Sequence, residues 1–431
     1  MKGQRTKLGA VLVLLVSFIV GFGSVAGGNS QAATTKIEAP ATTIAAKAGI
    51  AVAADNGQIL AAKDIDTSLP IASMSKSLSL YLVLQAVKDG KLTWTQEIKP
   101  SAKIVTLSQN MDLSNIPLET DKSYTVKELY EASTIYSANA AIMALAEAVS
   151  GSQSAFVDAM RAQLEKWGAK NYEIVNVSGL NNSYLSDDRY AGTAADAENK
   201  MSARDVAMVA QHLLTEFPEF LETSRKTSID FHGTTYPTWN LLLPGESAAQ
   251  KDLPVDGIKT GTSDQAGDCF VGTVKKDGFR IITVVLHADG NADDQAKRFT
   301  ATAALMNSIY QNWHQVALFQ AKKTSSHLAA VKVTNSKQKT VAVVPDKTVK
   351  LYLPKSTTAK QLDFKLTKGD ASQAAPIAKY DQLGTINLPE VGAGFLQGAN
   401  SIKVNVLAKS GVTALTWWEK VWQNITGLFN K

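Results

Sequence analysis

The sequence predicts an α+β fold, an antiparallel sheet covered by helices, followed by a small all-β domain and a C-terminal amphipathic helix. Three observations carry this reading. Strand-like runs stand at both ends of residues 33–320 with helical periodicity between them, which suggests one sheet built from both termini. Short alternating strands separated by turn residues then occupy residues 325–408. Residues 411–431 return to helical spacing, with Leu415, Trp418, Val421, Trp422, Ile425 and Phe429 on one face.

Taken in order, the chain opens with a basic start (Lys2, Arg5, Lys7), an apolar run from Leu8 to Phe22, and Ser30-Gln31-Ala32. This is the pattern of an export signal over residues 1–32, cleaved after Ala32 or, as second choice, Ala33; an uncleaved N-terminal anchor is the alternative. No cysteine lies nearby, so a lipoprotein is excluded. The formal charge of +5 falls to +2 once those three cations are set aside, which is no nucleic-acid footprint. Cys269 is the only cysteine, so no intrachain disulfide can form and a cysteine-ligated metal is not expected. Five scattered histidines without His-Glu-x-x-His argue against a zinc hydrolase.

Gly49 to Ala54, a turn at Asn56-Gly57, and Ile59 to Ala62 read as a hairpin. A helix follows through Leu78, Leu80, Leu84 and Val87 to a stop at Gly90. Thr125-Val126-Lys127-Glu128 is a capping box opening the next helix. Ala140 to Val149, ended by Gly151, and Ser154 to Trp167, ended by Gly168, are helical, as is Ala203 to Leu214 behind Ser202 with Asp205 at its third position. Cys269 to Val274 and Phe279 to Leu286 are strong antiparallel strands around a Lys276-Asp277-Gly278 turn. A helix over about 293–313 closes the first domain. Strands are then expected at 331–333, 340–344, 349–353 and 402–406.

Three short patterns carry chemistry. Ser73 and Lys76 are three residues apart at a helix start, so the lysine amine reaches the serine hydroxyl. A lysine desolvated among apolar side chains has its pKa lowered and takes that proton, making Ser73 a nucleophile. Ser336 and Lys339 share this spacing but sit in a polar turn. Ser137-Ala138-Asn139 joins two well-signalled helices, a more rigid setting than the similar Ser108-Gln109-Asn110. Lys259-Thr260-Gly261 occurs once, just before a strand. Lys259 supplies a fixed positive charge for a substrate carboxylate and holds Lys76 neutral by repulsion. Thr260 and Thr262 offer hydroxyls to the same carboxylate. The backbone N–H groups of Ser73 and Thr262 form an oxyanion site, Ser137 relays a proton to a leaving amine, and Asn139 bonds a substrate amide and fixes Lys76.

With Ile71-Ala72-Ser73-Met74-Ser75-Lys76, Tyr136-Ser137-Ala138-Asn139-Ala140-Ala141, Val177-Ser178-Gly179-Leu180, Ser202-Ala203-Arg204-Asp205 and Val255 to Ser263 around them, these motifs resemble the low-molecular-mass penicillin-binding proteins, the serine-type D-alanyl-D-alanine carboxypeptidases. Ala375-Pro376-Ile377 with Leu383-Gly384-Thr385 looks like the β-domain that follows the catalytic domain in these enzymes. The resemblance implies a β-lactamase/transpeptidase-like catalytic domain and attack by Ser73 between the last two D-alanines of a peptidoglycan stem peptide. It implies hydrolysis of the acyl-enzyme by water, covalent inhibition by β-lactam antibiotics, and no metal or other cofactor. It also implies an exported enzyme held at the outer face of the cytoplasmic membrane by its C-terminal helix, whose three tryptophans (Trp417, Trp418, Trp422) suit a membrane interface; docking of that helix on its own β-domain is the alternative. Ala140 and Thr262 stand where many relatives carry Asp and some carry His. Two other functions are weighed: a non-catalytic wall-binding or β-lactam-sensing protein, and a β-lactamase. The latter needs a deacylating base, and Glu173-Ile174-Val175-Asn176 misses the expected Glu-x-x-Leu-Asn spacing.

Overall fold

Two near-continuous apolar runs and a two-residue turn with positive φ at Asp277 and Gly278 fold the last two long strands against each other. In this computed structural model, residues 36–291, 294–362, 366–368, 372–398 and 402–422 are described. The export signal expected over 1–32 lies outside them. The main sheet consists of β1 (Ala46–Ala53), β2 (Ile59–Lys63), β3 (Val255–Ser263), β4 (Gly267–Lys276) and β5 (Phe279–Ala288), in the order β3-β4-β5-β1-β2. Antiparallel pairing of Ile50 with Val284 joins the first strand to the last, so both termini of the domain build one sheet. Its central strands are almost wholly buried because both faces are covered.

The helices are α1 (Lys76–Lys88), α2 (Ala102–Ser108), α3 (Val126–Ile135), α4 (Asn139–Ser150), α5 (Gln153–Trp167), α6 (Ala203–Glu216), α7 (Phe220–Ser224) and α8 (Lys297–Asn312). Most begin and end where local chemistry says. Thr125 accepts from the Glu128 N–H at 3.2 Å while Glu128 accepts from the Thr125 N–H at 2.7 Å, completing the capping box of α3. Gly151 and Gly168 end α4 and α5 in the left-handed region. At α6, Ser202 Oγ accepts from the Asp205 N–H at 3.1 Å and donates to the Asp205 carboxylate at 2.9 Å, and that carboxylate also accepts from the Asn171 N–H at 2.8 Å. Helix α8 begins later than expected, and Trp313 opens a strand, Trp313–Phe319, instead of ending the helix.

One apolar core fills the space between the sheet and α1, α3, α4 and α6, with Ile50, Val284, Leu78, Leu129, Ile142 and Val206 among its members. A second lies on the opposite face under α8 and continues into the small all-β domain through Phe270, Leu305, Trp313, Tyr352 and Val404. There the run expected as one strand at 340–344 breaks at the exposed Ala342. Its halves join different sheets, Thr340–Val341 with Val331–Thr334 and Val343–Pro345 with Lys403–Ala408. Val349–Pro354 pairs with Trp313–Phe319. Gln382–Asn387, not anticipated from alternation, pairs with Lys403–Ala408. The tail turns helical at Trp417 behind the Thr416–Glu419 cap, with its three tryptophans 65–73 % exposed. Residues 423–431 lie outside the described range. Among the described residues no single helix is long and apolar enough to cross a membrane.

Candidate active site

The turn that carries Ser73 is built by packing from both sides. Ala72 to Ser75 form one turn of 3-10 helix leading into α1, and Ala72 is held at φ +44°, a left-handed conformation that a non-glycine residue adopts only when its surroundings impose it. Two glycines press on this turn. A Cβ on Gly179 would stand 1.9 Å from the Ala72 carbonyl oxygen, and one on Gly261 would stand 2.4 Å from that of Ile71. Ser75 donates to the Ala72 carbonyl at 2.7 Å and ties the turn internally. Ser73 is partly exposed while Ala72, Met74, Ser75 and Lys76 are buried, so this turn offers one hydroxyl to the cleft.

Lys76 is 0 % exposed. Its Nζ lies 2.8 Å from Ser73 Oγ, 2.7 Å from Asn139 Oδ1 and 2.8 Å from the Ser178 carbonyl oxygen. Burial first, and the nearby charge of Lys259 second, push its pKa well below the usual lysine range. A neutral amine has two N–H donors and one lone pair. The amide and carbonyl oxygens only accept, so they take both donors. The lone pair is left for the one neighbour that can donate, the Ser73 hydroxyl. That is the arrangement of a general base.

Ser137 and Asn139 arrive between α3 and α4. Ser137 has φ +66°, and its hydroxyl, 2 % exposed, has no hydrogen-bond partner among the described residues. Asn139 is held by a neighbouring loop: the Ser114 carbonyl accepts from both its backbone N–H and its Nδ2, each at 2.9 Å. Asn115 accepts from the Ala140 N–H at 3.0 Å. Asn139 Oδ1 is thereby aimed at Lys76.

Strand β3 forms the opposite wall and is an edge of the sheet, so one row of its backbone groups has no strand partner. Lys259 is 3 % exposed and Thr260 8 %, while Thr262 is exposed. Burial, then the charge of Arg298, pulls the Lys259 pKa down to about 7. Its charge therefore depends on pH, where the sequence led to the expectation of a fixed charge. Arg298 of α8 stands behind the strand. It donates to the Gly261 carbonyl at 3.0 Å and to Thr262 Oγ1 at 2.7 Å, and it pairs with buried Asp268. Ser263, at the strand end, donates to buried Glu198 at 2.6 Å.

Ser73, Lys76 and Asn139 are thus directly bonded, and Gly261 of β3 packs on the turn that carries Ser73. The look-alike motifs do not join them. Ser108 is buried and donates to the Val105 carbonyl at the end of α2. Ser336 accepts from the Gln338 N–H in a turn of the β-domain. Glu173 is exposed and paired with Lys200 at 3.1 Å. Sequence reasoning missed the Ser178 and Ser114 carbonyls, which have no side-chain signature, and the Arg298–Asp268 pair. The signal for that pair was an acid next to the apolar run Cys269-Phe270-Val271.

The chain matches the D-alanyl-D-alanine carboxypeptidase family over residues 33–290 and the family described as penicillin-binding protein 5, C-terminal domain, over residues 313–414. It is 26 % identical to the D-alanyl-D-alanine carboxypeptidase DacF of Bacillus subtilis, across 86 % of this chain and 88 % of that one. It resembles the crystal structure of a peptidoglycan synthesis regulatory factor (PBP3) from Streptococcus pneumoniae, with TM-score 0.73 and 36 % identity, covering 86 % of this chain and all of that one. It also resembles penicillin-binding protein D2 of Listeria monocytogenes in its cefotaxime-bound form, with TM-score 0.51 and 29 % identity, over 62 % of this chain and 98 % of that one.

Proposed function

This chain belongs to the D-alanyl-D-alanine carboxypeptidase family, and on that premise we propose that Ser73 is its nucleophile and Lys76 the base that activates it. The reaction removes the terminal D-alanine from peptidoglycan stem peptides through a serine acyl-enzyme, and β-lactams enter the same reaction as covalent inhibitors. The observation that supports the residue assignment is the arrangement around Lys76 Nζ: two obligate acceptors and one hydroxyl, each within 2.8 Å, around a fully buried amine.

As Ser73 Oγ attacks the carbonyl between the last two D-alanines, its proton passes to Lys76. The oxygen charge that develops is met by the N–H groups of Ser73 and Thr262. As the tetrahedral intermediate collapses, the C–N bond breaks and the leaving amine takes a proton from Lys76 by way of Ser137. Water then attacks the ester with Lys76 again accepting the proton, and as the acyl C–Oγ bond breaks Lys76 returns that proton to Ser73 Oγ, restoring the free enzyme. Lys259, Thr260 and Thr262 hold the terminal carboxylate, whose charge favours protonated Lys259. Asn139 bonds a substrate amide, and the extended stem peptide lies along the free edge of β3, which Gly261 lets pack closely on the turn that carries Ser73.

The proposed organisation is an export signal over 1–32, a catalytic domain over 33–320, an all-β domain over 325–408 and a membrane-surface helix over 411–431. Exposure of Trp417, Trp418 and Trp422 supports the last assignment, and with it a position on the outer face of the cytoplasmic membrane. A chain ending at Leu415 keeps Val412 paired with Ile377 and Leu415 buried. It should stay in solution when the chain of residues 33–431 sediments with lipid vesicles; equal sedimentation of the two would refute the tail's role.

The deciding experiment for the catalytic assignment measures D-alanine release from a peptide ending in D-Ala-D-Ala, beside Ser73→Ala. Release by the wild type and none by the variant is expected. Penicillin labelling of Ser73 without release would favour a sensor, and neither labelling nor release would overturn the site.

A further inference from the structure

Ser137 carries its proposed proton-relay role in a conformation that its own side chain does not favour, with φ at +66°. Two peptide planes set that conformation, one on each side of the residue. The plane after it is pinned within the helix end, where Ala138 N–H donates to the Ala132 carbonyl at 3.1 Å. The plane before it carries the Tyr136 carbonyl, at the end of α3, where carbonyls have no intrahelical donor. This carbonyl accepts from the indole N–H of Trp239 at 2.8 Å. Trp239 comes from the segment that leads into β3, more than a hundred residues away in sequence. Its ring also packs on Tyr136, with centroids 5.6 Å apart, and Tyr136 packs on Tyr236 at 5.0 Å. Yet 43 % of Trp239 remains exposed, so burial alone does not account for an indole at this position.

We propose that Trp239 is a positioning residue for the reaction: its indole N–H fixes the Tyr136–Ser137 peptide plane and thereby the direction in which Ser137 presents its hydroxyl to the leaving amine. This rests on the assignment of Ser137 as the relay. The Ser137 hydroxyl has no partner among the described residues to hold it, so its aim depends on the backbone. Trp239 precedes β3 in the chain, so this bond, with the ring packing on Tyr136, joins the segment leading to the wall that carries Lys259 to the turn that carries Ser137.

Trp239→Phe keeps an aromatic ring and removes the donor. The expected result on a peptide ending in D-Ala-D-Ala is a fall in kcat of roughly tenfold with KM within about twofold, since a misdirected relay loses part of the 10²–10⁴ that general acid–base catalysis supplies. Ser137→Ala should lower kcat by roughly 10²-fold. The double variant should match Ser137→Ala alone, because Trp239 acts through Ser137. Wild-type kcat in Trp239→Phe, or a further loss from Trp239→Phe in the Ser137→Ala background, would overturn the proposal while leaving the relay intact. Wild-type kcat in Ser137→Ala would overturn the relay assignment itself and the proposal with it. If Phe lowers the unfolding temperature, β-(3-benzothienyl)alanine at position 239 removes the N–H at constant shape, and the same outcomes decide.

Discussion

Replacing Gly261 by Ala tests whether close approach of β3 to the nucleophile turn sets the rate. The backbone of Gly261 is not in the left-handed region, so an alanine introduces no conformational strain and only the new methyl matters. That methyl would stand 2.4 Å from the Ile71 carbonyl oxygen, 3.1 Å from Met74 Cγ and 3.3 Å from Met74 N. The side chain of Met74 can yield, but the Ile71 carbonyl cannot. It accepts from the Met74 N–H at 3.1 Å, and the Ile71 N–H is tied to the Asn199 carbonyl at 3.0 Å. Strand and turn must therefore separate by about 0.6 Å or more in a close-packed interior. A 1 Å misplacement of reacting groups costs about 10²-fold. Gly261→Ala should accordingly lose roughly 10- to 100-fold in kcat/KM, equivalent to about 1.4–2.7 kcal/mol of transition-state stabilisation. Overpacking should also cost about 1–3 kcal/mol of stability. The assay pairs D-alanine release with the rate of acylation by a fluorescent penicillin, because both need Ser73 in register with β3, and urea unfolding reads the stability. A kcat/KM within about threefold of wild type would refute the reasoning, since it would mean that the wall and the turn need not be close.

Lys76 must be neutral and Lys259 charged in the free enzyme, so kcat/KM should rise as Lys76 deprotonates and fall through about pH 7 as Lys259 does. In the kcat profile the falling limb should move to higher pH, because a bound carboxylate stabilises charged Lys259; a flat kcat/KM between pH 7 and 9 would contradict this. Arg298→Met leaves Asp268 buried beside only Lys297, 3.4 Å away, and should cost about 3–5 kcal/mol in urea unfolding. The double variant Arg298→Met with Asp268→Leu should recover part of that loss, and additive losses would argue against the pair. Asn115→Ala removes a fully buried amide that donates to the Leu107 carbonyl at 2.8 Å and accepts from Ala140 N–H. It should cost about 1–3 kcal/mol in stability and lower kcat by loosening the loop that holds Asn139, measured by thermal unfolding and D-alanine release.

Helix ends were legible because their causes span three or four residues. Thr125 with Glu128, Ser202 before α6, Gly151 and Gly168 each act within one turn. Strands were legible where apolar and β-branched runs were long and bounded by turn residues, as in β4 and β5. They were lost where a short run follows another apolar pattern: Trp313–Phe319 continues the apolar face of α8, and nothing local says that the chain straightens there. The break at Ala342 was hidden for a related reason, since the two halves differ only in which distant strand they meet. In the site, the side chains proposed to do chemistry carry a spacing signature, and Ser73, Lys76 and Asn139 are hydrogen-bonded together. The groups that hold them are backbone carbonyls at Ser114 and Ser178, and any residue type would supply those. Arg298 and Asp268 lie thirty residues apart on elements whose facing surfaces are set by the folded sheet, so their pairing belongs to the third dimension.

The two departures from the family pattern now separate on physical grounds. Ala140 follows Asn139, but it is fully buried, belongs to the core under α4, and meets the Asn115 loop through its backbone N–H. An aspartate there would bring a carboxylate into that apolar packing at a desolvation cost, and alanine fits its buried surroundings without one. Thr262 is different, because it is exposed at the cleft and its hydroxyl already accepts a hydrogen bond from Arg298. A hydroxyl that accepts from a guanidinium has its own proton left to donate, and the accepted bond makes it a stronger donor. Thr262 thus passes the positive character of a buried arginine to the surface of β3 without exposing the charge. A histidine in its place would titrate beside Lys259 and Arg298 and would be held neutral by both. In the proposed site, carboxylate recognition would therefore depend on a polarised hydroxyl and on one pH-dependent charge, Lys259, whose protonation a bound carboxylate would favour.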